Sequence, residues 1–180
     1  MFRGMTVSPH KNCMLLWILG FVITGCGSFT ASRSPVLNVA EPSSTEPVTA
    51  AMRVSRRSVR PGEIFEVMVR VRIADGHHIY GASAPLGPFS PTTLKLILPD
   101  DLEAKGDWVL PKPIITRTNE KVYMDSALFL RQVKVRLNAL ERPLSIKVEL
   151  RCQACTDELC WPPREIGVST MVAVENKTKK

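Results

Sequence analysis

Between residues 64 and 73 the chain reads IFEVMVRVRI. Val67, Val69, Val71 and Ile73 fall on one face of an extended chain, and Glu66, Met68, Arg70 and Arg72 on the other. A side-chain period of two belongs to a strand with one buried face, and no helix satisfies it. The pattern returns in TLKLIL (93–98), LRQVKVRL (130–137), LSIKVEL (144–150) and IGVSTMVAV (166–174). Turn-forming clusters divide these runs: RPGE, ADG, PLGPFSP, LPDD, ERP and CWPP. No stretch sustains helical spacing, and no segment repeats at a fixed period. The expected fold is therefore all-β, an immunoglobulin-like β-sandwich over residues 52–174 with a Val, Ile and Leu core drawn from two facing sheets. A core of that size folds without a disulfide as its main staple.

The first 25 residues follow other rules. MFRGMTVSPHKN carries Arg3 and Lys11 and no acid, and residues 13–25 form an apolar run. A membrane-spanning helix needs about 20 such residues, so the run reads instead as the core of an export signal, residues 1–25. Ile23, Thr24 and Gly25 before Cys26 resemble a bacterial lipoprotein box. Cys26 is then the expected lipidation site, and the alternative is a plain secretory signal with an incidental cysteine. Residues 26–51 are rich in Ser, Thr, Pro and Ala and are expected to be a flexible tether with a reach on the order of 80 Å. Residues 175–180 form a basic tail. The expected location is the periplasm or cell envelope, lipid-anchored to a bacterial membrane.

Without Arg3 and Lys11, the 24 basic residues become 22 against 17 acidic ones, a net of +5. Three of those charges sit in the tail, and the others alternate with apolar residues on strand patterns. That is a solvated sheet face and not a basic patch interleaved with aromatics, so no nucleic-acid partner is expected.

Three of the five cysteines lie close together in RCQACTDELCWPPREI (151–166). Cys152 shares the parity of Leu144, Ile146, Val148 and Leu150, which predicts an inward, core-like thiol. Cys155 and Cys160 enclose a short polar insert, and a turn there brings two sulfurs within bonding range. Closing so small a loop contributes only about 2 kcal/mol on the chain-entropy model. Three readings stand open: a structural staple, a working redox pair, and a zinc site made by Cys152, Cys155 and Cys160 with His77 or His78. Pro162 and Pro163 stiffen the exit from the loop. Trp161 is placed to cover a sulfur or to offer a docking surface. Asp157 and Glu158 raise the pKa of nearby thiols.

The segment CQACTDELCWPP resembles the cysteine motif of the N-terminal periplasmic domain of the thiol:disulfide interchange protein family, DsbD. Cys152 stands where an aromatic is usual. DGHHIYGASAPLGPFSPTTLKL is similar to the family's Gly-x-His-h-Tyr strand and the loop after it, and NEKVYMDSALFLRQVKV to its acidic-x-x-Tyr segment. The order and spacing agree over residues 52–174. The resemblance implies an immunoglobulin-like sandwich with a redox-active disulfide at one end, formed by the catalytic pair Cys155 and Cys160. It implies that Cys160 forms the mixed disulfide with partners. It also implies a cap around Glu120, Lys121, Val122 and Tyr123 that shields the pair, with Tyr80 lining the same site. Partners would be thioredoxin-like or other exported thiol proteins, and no metal or organic cofactor is implied. DsbD continues into a membrane electron-carrying domain and a thioredoxin domain, so a chain ending at Lys180 is expected to use a separate reductant. The function expected is protein-disulfide-reductase-like thiol–disulfide interchange. The alternatives are a non-catalytic envelope protein-binding sandwich with a structural disulfide, and a zinc-binding domain.

Overall fold

The computed structural model describes residues 37–83 and 89–175. The expected export signal, the lipidation site Cys26, the tether up to residue 36 and tail residues 176–180 lie outside the described residues. Among the described residues there are twelve strands and no helix. The all-β class expected from the alternation is what forms.

One sheet has the order β1 (Val48–Val54), β3 (Ile64–Ile73), β9 (Ser126–Val135), β6 (Leu102–Val109), antiparallel throughout. The second has the order β2 (Ser58–Val59), β12 (Arg164–Val174), β10 (Pro143–Cys152), β5 (Thr93–Ile97), with only the β2–β12 pair parallel. Their inner faces share one core. From β3 come Phe65, Val67, Val69, Val71 and Ile73, from β9 Phe129, Val133 and Val135, and from β10 Leu144, Ile146, Val148 and Leu150. This is the immunoglobulin-like sandwich arrangement, in which each strand sends every second residue inward. A third, smaller sheet has the order β11 (Ala154–Cys155), β4 (His78–Tyr80), β8 (Lys121–Tyr123), β7 (Ile114–Ile115).

Several strands extend past their sequence signal. β1 starts at Val48, inside the stretch assigned to the tether, and pairs along its whole length with β3, from Val48↔Ile73 to Val54↔Val67. Its small Thr49, Ala50 and Ala51 blur the alternation. The residues before it are also held: the Thr49 hydroxyl donates to the Ala40 carbonyl (2.6 Å), Arg164 pairs with Glu46 (3.1 Å), and Arg72 pairs with Glu41. β6 had no legible alternation because its register against β9 shifts between Lys105 and Val109. Gly106 supplies the left-handed φ of 61° at that irregularity, a conformation glycine adopts without steric penalty.

Phe129 is fully buried and meets Tyr123 edge-on with ring centroids 5.6 Å apart. Phe129→Ala should lower the unfolding free energy by about 3–5 kcal/mol, measured by equilibrium urea denaturation. A loss below about 1 kcal/mol would show that this ring does not fill the core.

Candidate functional site

The third sheet is short, yet three of its strands, β11, β4 and β8, serve two layers. Ala154, Ile79 and Tyr123 are register neighbours across β11, β4 and β8, and all three join the sandwich core. Successive residues of a strand point to opposite faces. The other face therefore carries Cys155, His78, Tyr80, Val122 and Ile114, tied by the pairs Cys155↔His78, Tyr80↔Val122 and Ile114↔Val122. Tyr80, Val122 and Cys155 form a second buried cluster, with Phe89 and Cys160 packed against it.

Cys155 and Cys160 are joined by a disulfide, with Cα atoms 4.0 Å apart. The cause is local pairing. The Thr156 N–H donates to the Leu159 carbonyl and the Trp161 N–H to the Ala154 carbonyl, each at 2.8 Å. Between those bonds, Cys155 and Cys160 face each other at a non-hydrogen-bonded position of a tight antiparallel hairpin. Opposed side chains are closest at such positions. The Thr156 hydroxyl completes the turn by accepting the N–H groups of Leu159 (3.1 Å) and Glu158 (3.3 Å). The two cysteines differ in access: Cys155 is fully buried, whereas Cys160 is half-buried.

Cys160 lines an open groove of about 1010 Å³. His78, Tyr80 and Phe89 lie along it, Glu120 and Asp157 bring carboxylates to it, and Ile114, Ile115, Met124 and Leu159 supply apolar rim. Glu120 is held from the β7–β8 turn. The Glu120 N–H donates to the Thr116 hydroxyl (3.0 Å), the Thr118 hydroxyl donates to the Glu120 carboxylate (2.9 Å), and Asn119 takes a left-handed φ of 63°. Asparagine tolerates that conformation better than most residues. Gly81 lets β4 approach β8: its N–H donates to the Lys121 carbonyl at 2.7 Å, and a Cβ there would stand 3.1 Å from that oxygen.

The expected site residues divide. Tyr80, Glu120 and Val122 gather with the disulfide. Tyr80 stacks on Phe89 (centroids 4.8 Å apart, 6° between planes), and burial followed by the Glu120 carboxylate pushes its phenol pKa up. Tyr123 turns the other way, because Val122 occupies the site face of β8. Tyr123 packs on Phe129, and its hydroxyl accepts the Ala82 N–H at 3.4 Å. Burial raises its pKa, with that hydrogen bond opposing. Trp161 also leaves the groove. Since Cys160 faces it, the next residue points away, and Trp161 instead packs on His77 with centroids 4.9 Å apart. Trp161 borders a small cavity with Cys152, Pro47 and Val48.

Cys152 continues the inward face of β10 and is fully buried in the sandwich core, as its parity predicts. Burial pushes its thiol up to about 11, with Arg164 opposing. The three cysteines thus split between two clusters, so the ligand set of the zinc reading does not converge.

Two contributors escaped the sequence reading, Phe89 and Gln153, and a third, His78, was named there only as a candidate zinc ligand and as part of the Gly-x-His-h-Tyr resemblance. Phe89 lies in a segment rich in turn formers that has no period. Gln153 spans two segments, donating to the Trp161 carbonyl (3.1 Å) and accepting the Ser90 N–H (2.8 Å). His78 is buried at 9% exposure and meets Tyr80 edge-on, with centroids 5.5 Å apart. Burial holds the His78 pKa below its ordinary 6.5, against the upward pull of Glu120 and Asp157, and His77 adds to the lowering.

The family model described as "Thiol:disulfide interchange protein DsbD, N-terminal" matches residues 45–170. Among solved structures, the reduced form of the DsbD N-terminal domain of Neisseria meningitidis is similar at 22% identity and TM-score 0.37, covering 59% of this chain and 75% of that one. The N-terminal periplasmic domain of ScsB from Proteus mirabilis is similar at 10% identity and TM-score 0.46, covering 74% of this chain and 49% of that one. This chain thus spans about half the length of the latter. No curated protein matches the chain.

The depressed His78 pKa has a consequence for stability. The unfolded chain takes up the proton first, at about pH 6.5, so His78 favours the fold above that pH and opposes it as pH falls toward the folded value. His78→Gln should remove this component. The difference in melting temperature between His78→Gln and wild type should shift in favour of the variant as pH drops below about 6.5. A difference independent of pH would contradict the assignment.

Proposed function

The chain belongs to the family of DsbD N-terminal domains, and from that membership we propose that it is a thiol–disulfide exchange domain working through Cys155 and Cys160. The observation that carries the reading is the unequal access of the two cysteines: Cys155 is fully buried, whereas the half-buried Cys160 lines the groove. An incoming thiolate must attack in line with the disulfide, and the half-buried Cys160 is the sulfur a partner can reach. The attack forms a bond between the partner sulfur and Cys160, and the electron pair of the broken bond goes to the Cys155 sulfur. A second thiol on the partner then attacks its own sulfur in the mixed disulfide and expels the Cys160 thiolate. The partner dithiol leaves oxidised, and Cys155 and Cys160 remain as two thiols. In reverse, the reduced pair passes its electrons to another disulfide. No cofactor enters either direction.

The rim supports a protein partner more than a small molecule. Ile114, Ile115 and Leu159 are exposed apolar side chains beside the disulfide, and such residues form the desolvated centre of protein contacts. Thioredoxin-like or other exported thiol proteins fit that description. We place the domain in the periplasm, residues 52–174 of the notional sandwich being extended back to β1, and we take Cys26 as the lipid anchor with the following residues as its tether. Intact-mass measurement of the exported protein tests this: residues before Cys26 should be absent and an acylated mass present.

Two measurements test the exchange. The Cys155–Cys160 pair should have a reduction potential above about −300 mV, where structural disulfides do not lie. Cys155→Ala should leave Cys160 trapped in a mixed disulfide with a thiol protein of the envelope. A potential far below that value together with no trapped partner would assign the bond to structure. In that case Cys155→Ser/Cys160→Ser should cost about 2 kcal/mol of stability and leave cellular thiol status unchanged.

A further inference from the structure

The exchange step leaves one chemical problem at Cys155. Its sulfur departs as a thiolate, and Cys155 is fully buried among Tyr80 and Val122 with Phe89 and Cys160 against it. An anion in so apolar a place is strongly disfavoured unless a proton or a cation meets it. Among the described residues, the groove is lined by two cationic or protonatable nitrogen side chains, Arg117 and His78. Arg117 is exposed on the β7–β8 turn. His78 stands directly across the β4–β11 pair from Cys155, and directly opposed residues project to the same face with Cβ atoms about 4.5–5.5 Å apart.

We propose that His78 is the proton donor to the Cys155 sulfur when the disulfide opens and the base that removes the proton when it recloses, an inference that rests on the exchange reading above. As the partner thiolate bonds to Cys160, the electron pair moves to Cys155, and the imidazolium of His78 gives its proton to that sulfur. The product is a neutral thiol in an apolar nook and a neutral ring, which regains a proton from water in the groove. In the closing direction neutral His78 takes the Cys155 proton. The freed sulfur attacks the mixed disulfide at Cys160, and the partner leaves as its thiolate.

The groups around the ring suit both states. Just before its own strand stands His77 and on that strand Tyr80, the β7–β8 turn brings Glu120, and the cysteine hairpin brings Asp157. Glu158 and Arg117 complete the charged groups along the groove. Glu120 and Asp157 favour the charged ring, while burial and His77 favour the neutral one. The two carboxylates thus offset part of the lowering that burial and His77 impose. Glu120 is fixed for this task by the Thr118 hydroxyl at 2.9 Å.

The test uses the oxidised full-length chain and dithiothreitol as the probe. The second-order rate constant of reduction is measured from about pH 5 to about pH 9 and divided by the probe's thiolate fraction. In the wild type this normalised constant should rise on the acid side as His78 gains its proton. In His78→Gln it should be flat, roughly tenfold below wild type at about pH 5 and equal to it above about pH 8. Glu120→Gln keeps the ring and removes a carboxylate that favours its charge, so the inflection should move to lower pH. A flat wild-type profile overturns the proposal, and so does an acid limb that His78→Gln leaves in place. If His78→Gln does not fold, the wild-type limb and its displacement in Glu120→Gln decide the matter, and an undisplaced limb counts against His78. A wild-type disulfide that dithiothreitol fails to reduce at any pH would sink the exchange reading itself.

Discussion

An extended chain sends alternate side chains to opposite faces, and in this protein the smallest sheet uses both of them. Ala154, Ile79 and Tyr123 close one end of the sandwich core. The residues between or beside them, Cys155, His78, Tyr80 and Val122, make a chemical surface. Burying the inner set fixes the outer set, because a slip of one residue would exchange the two faces and put a tyrosine and a histidine into the core in place of isoleucine. The geometry of the disulfide site is therefore enforced by hydrophobic burial on the far side of three short strands.

The same rule explains which parts of the molecule could be read from the chain. β3 was legible at every position but one, because Val67, Val69, Val71 and Ile73 alternate with Glu66, Arg70 and Arg72, while Met68, on the outer parity, is buried. β10 was legible as far as Cys152 for the same reason. β4, β8, β11 and β7 have two or three residues each, too few for a period to show, so their faces had to be inferred from resemblance. Parity within such strands is a coin with two sides. It placed Val122 against the disulfide but Tyr123 in the core, and Cys160 at the groove but Trp161 beside His77. Phe89 and Gln153 reach the site from elsewhere in the chain, through stacking and through hydrogen bonds to Ser90 and Trp161. Contacts between distant segments leave no local pattern to read.

Cys152 shows how the fold separates thiols that the sequence crowds together. It lies three residues from Cys155, yet it belongs to the sandwich core while Cys155 belongs to the outer cluster. Its thiol pKa of about 11 leaves almost no thiolate near neutrality. Exchange needs the thiolate and access to a disulfide sulfur, and Cys152 has neither. β10 thus carries this third cysteine inward, into a different cluster from the pair, before β11 begins.

The proposed exchange also requires that the two sulfurs find each other again. The hairpin that opposes them does not depend on the covalent bond alone. Thr156 and Leu159 are joined through backbone and hydroxyl, the Trp161 N–H is bound to Ala154, and Gln153 ties the hairpin to Ser90. β11 is paired with β4, and Ala154 is anchored in the core. None of these contacts uses the sulfur–sulfur bond, so in the proposed exchange the entropy of bringing residues 155 and 160 together would already be offset by the fold. A disulfide in such a place adds little to stability, and the proposed reclosure would need no chain search. Those are the conditions under which a bond can change state repeatedly while the domain around it stays the same.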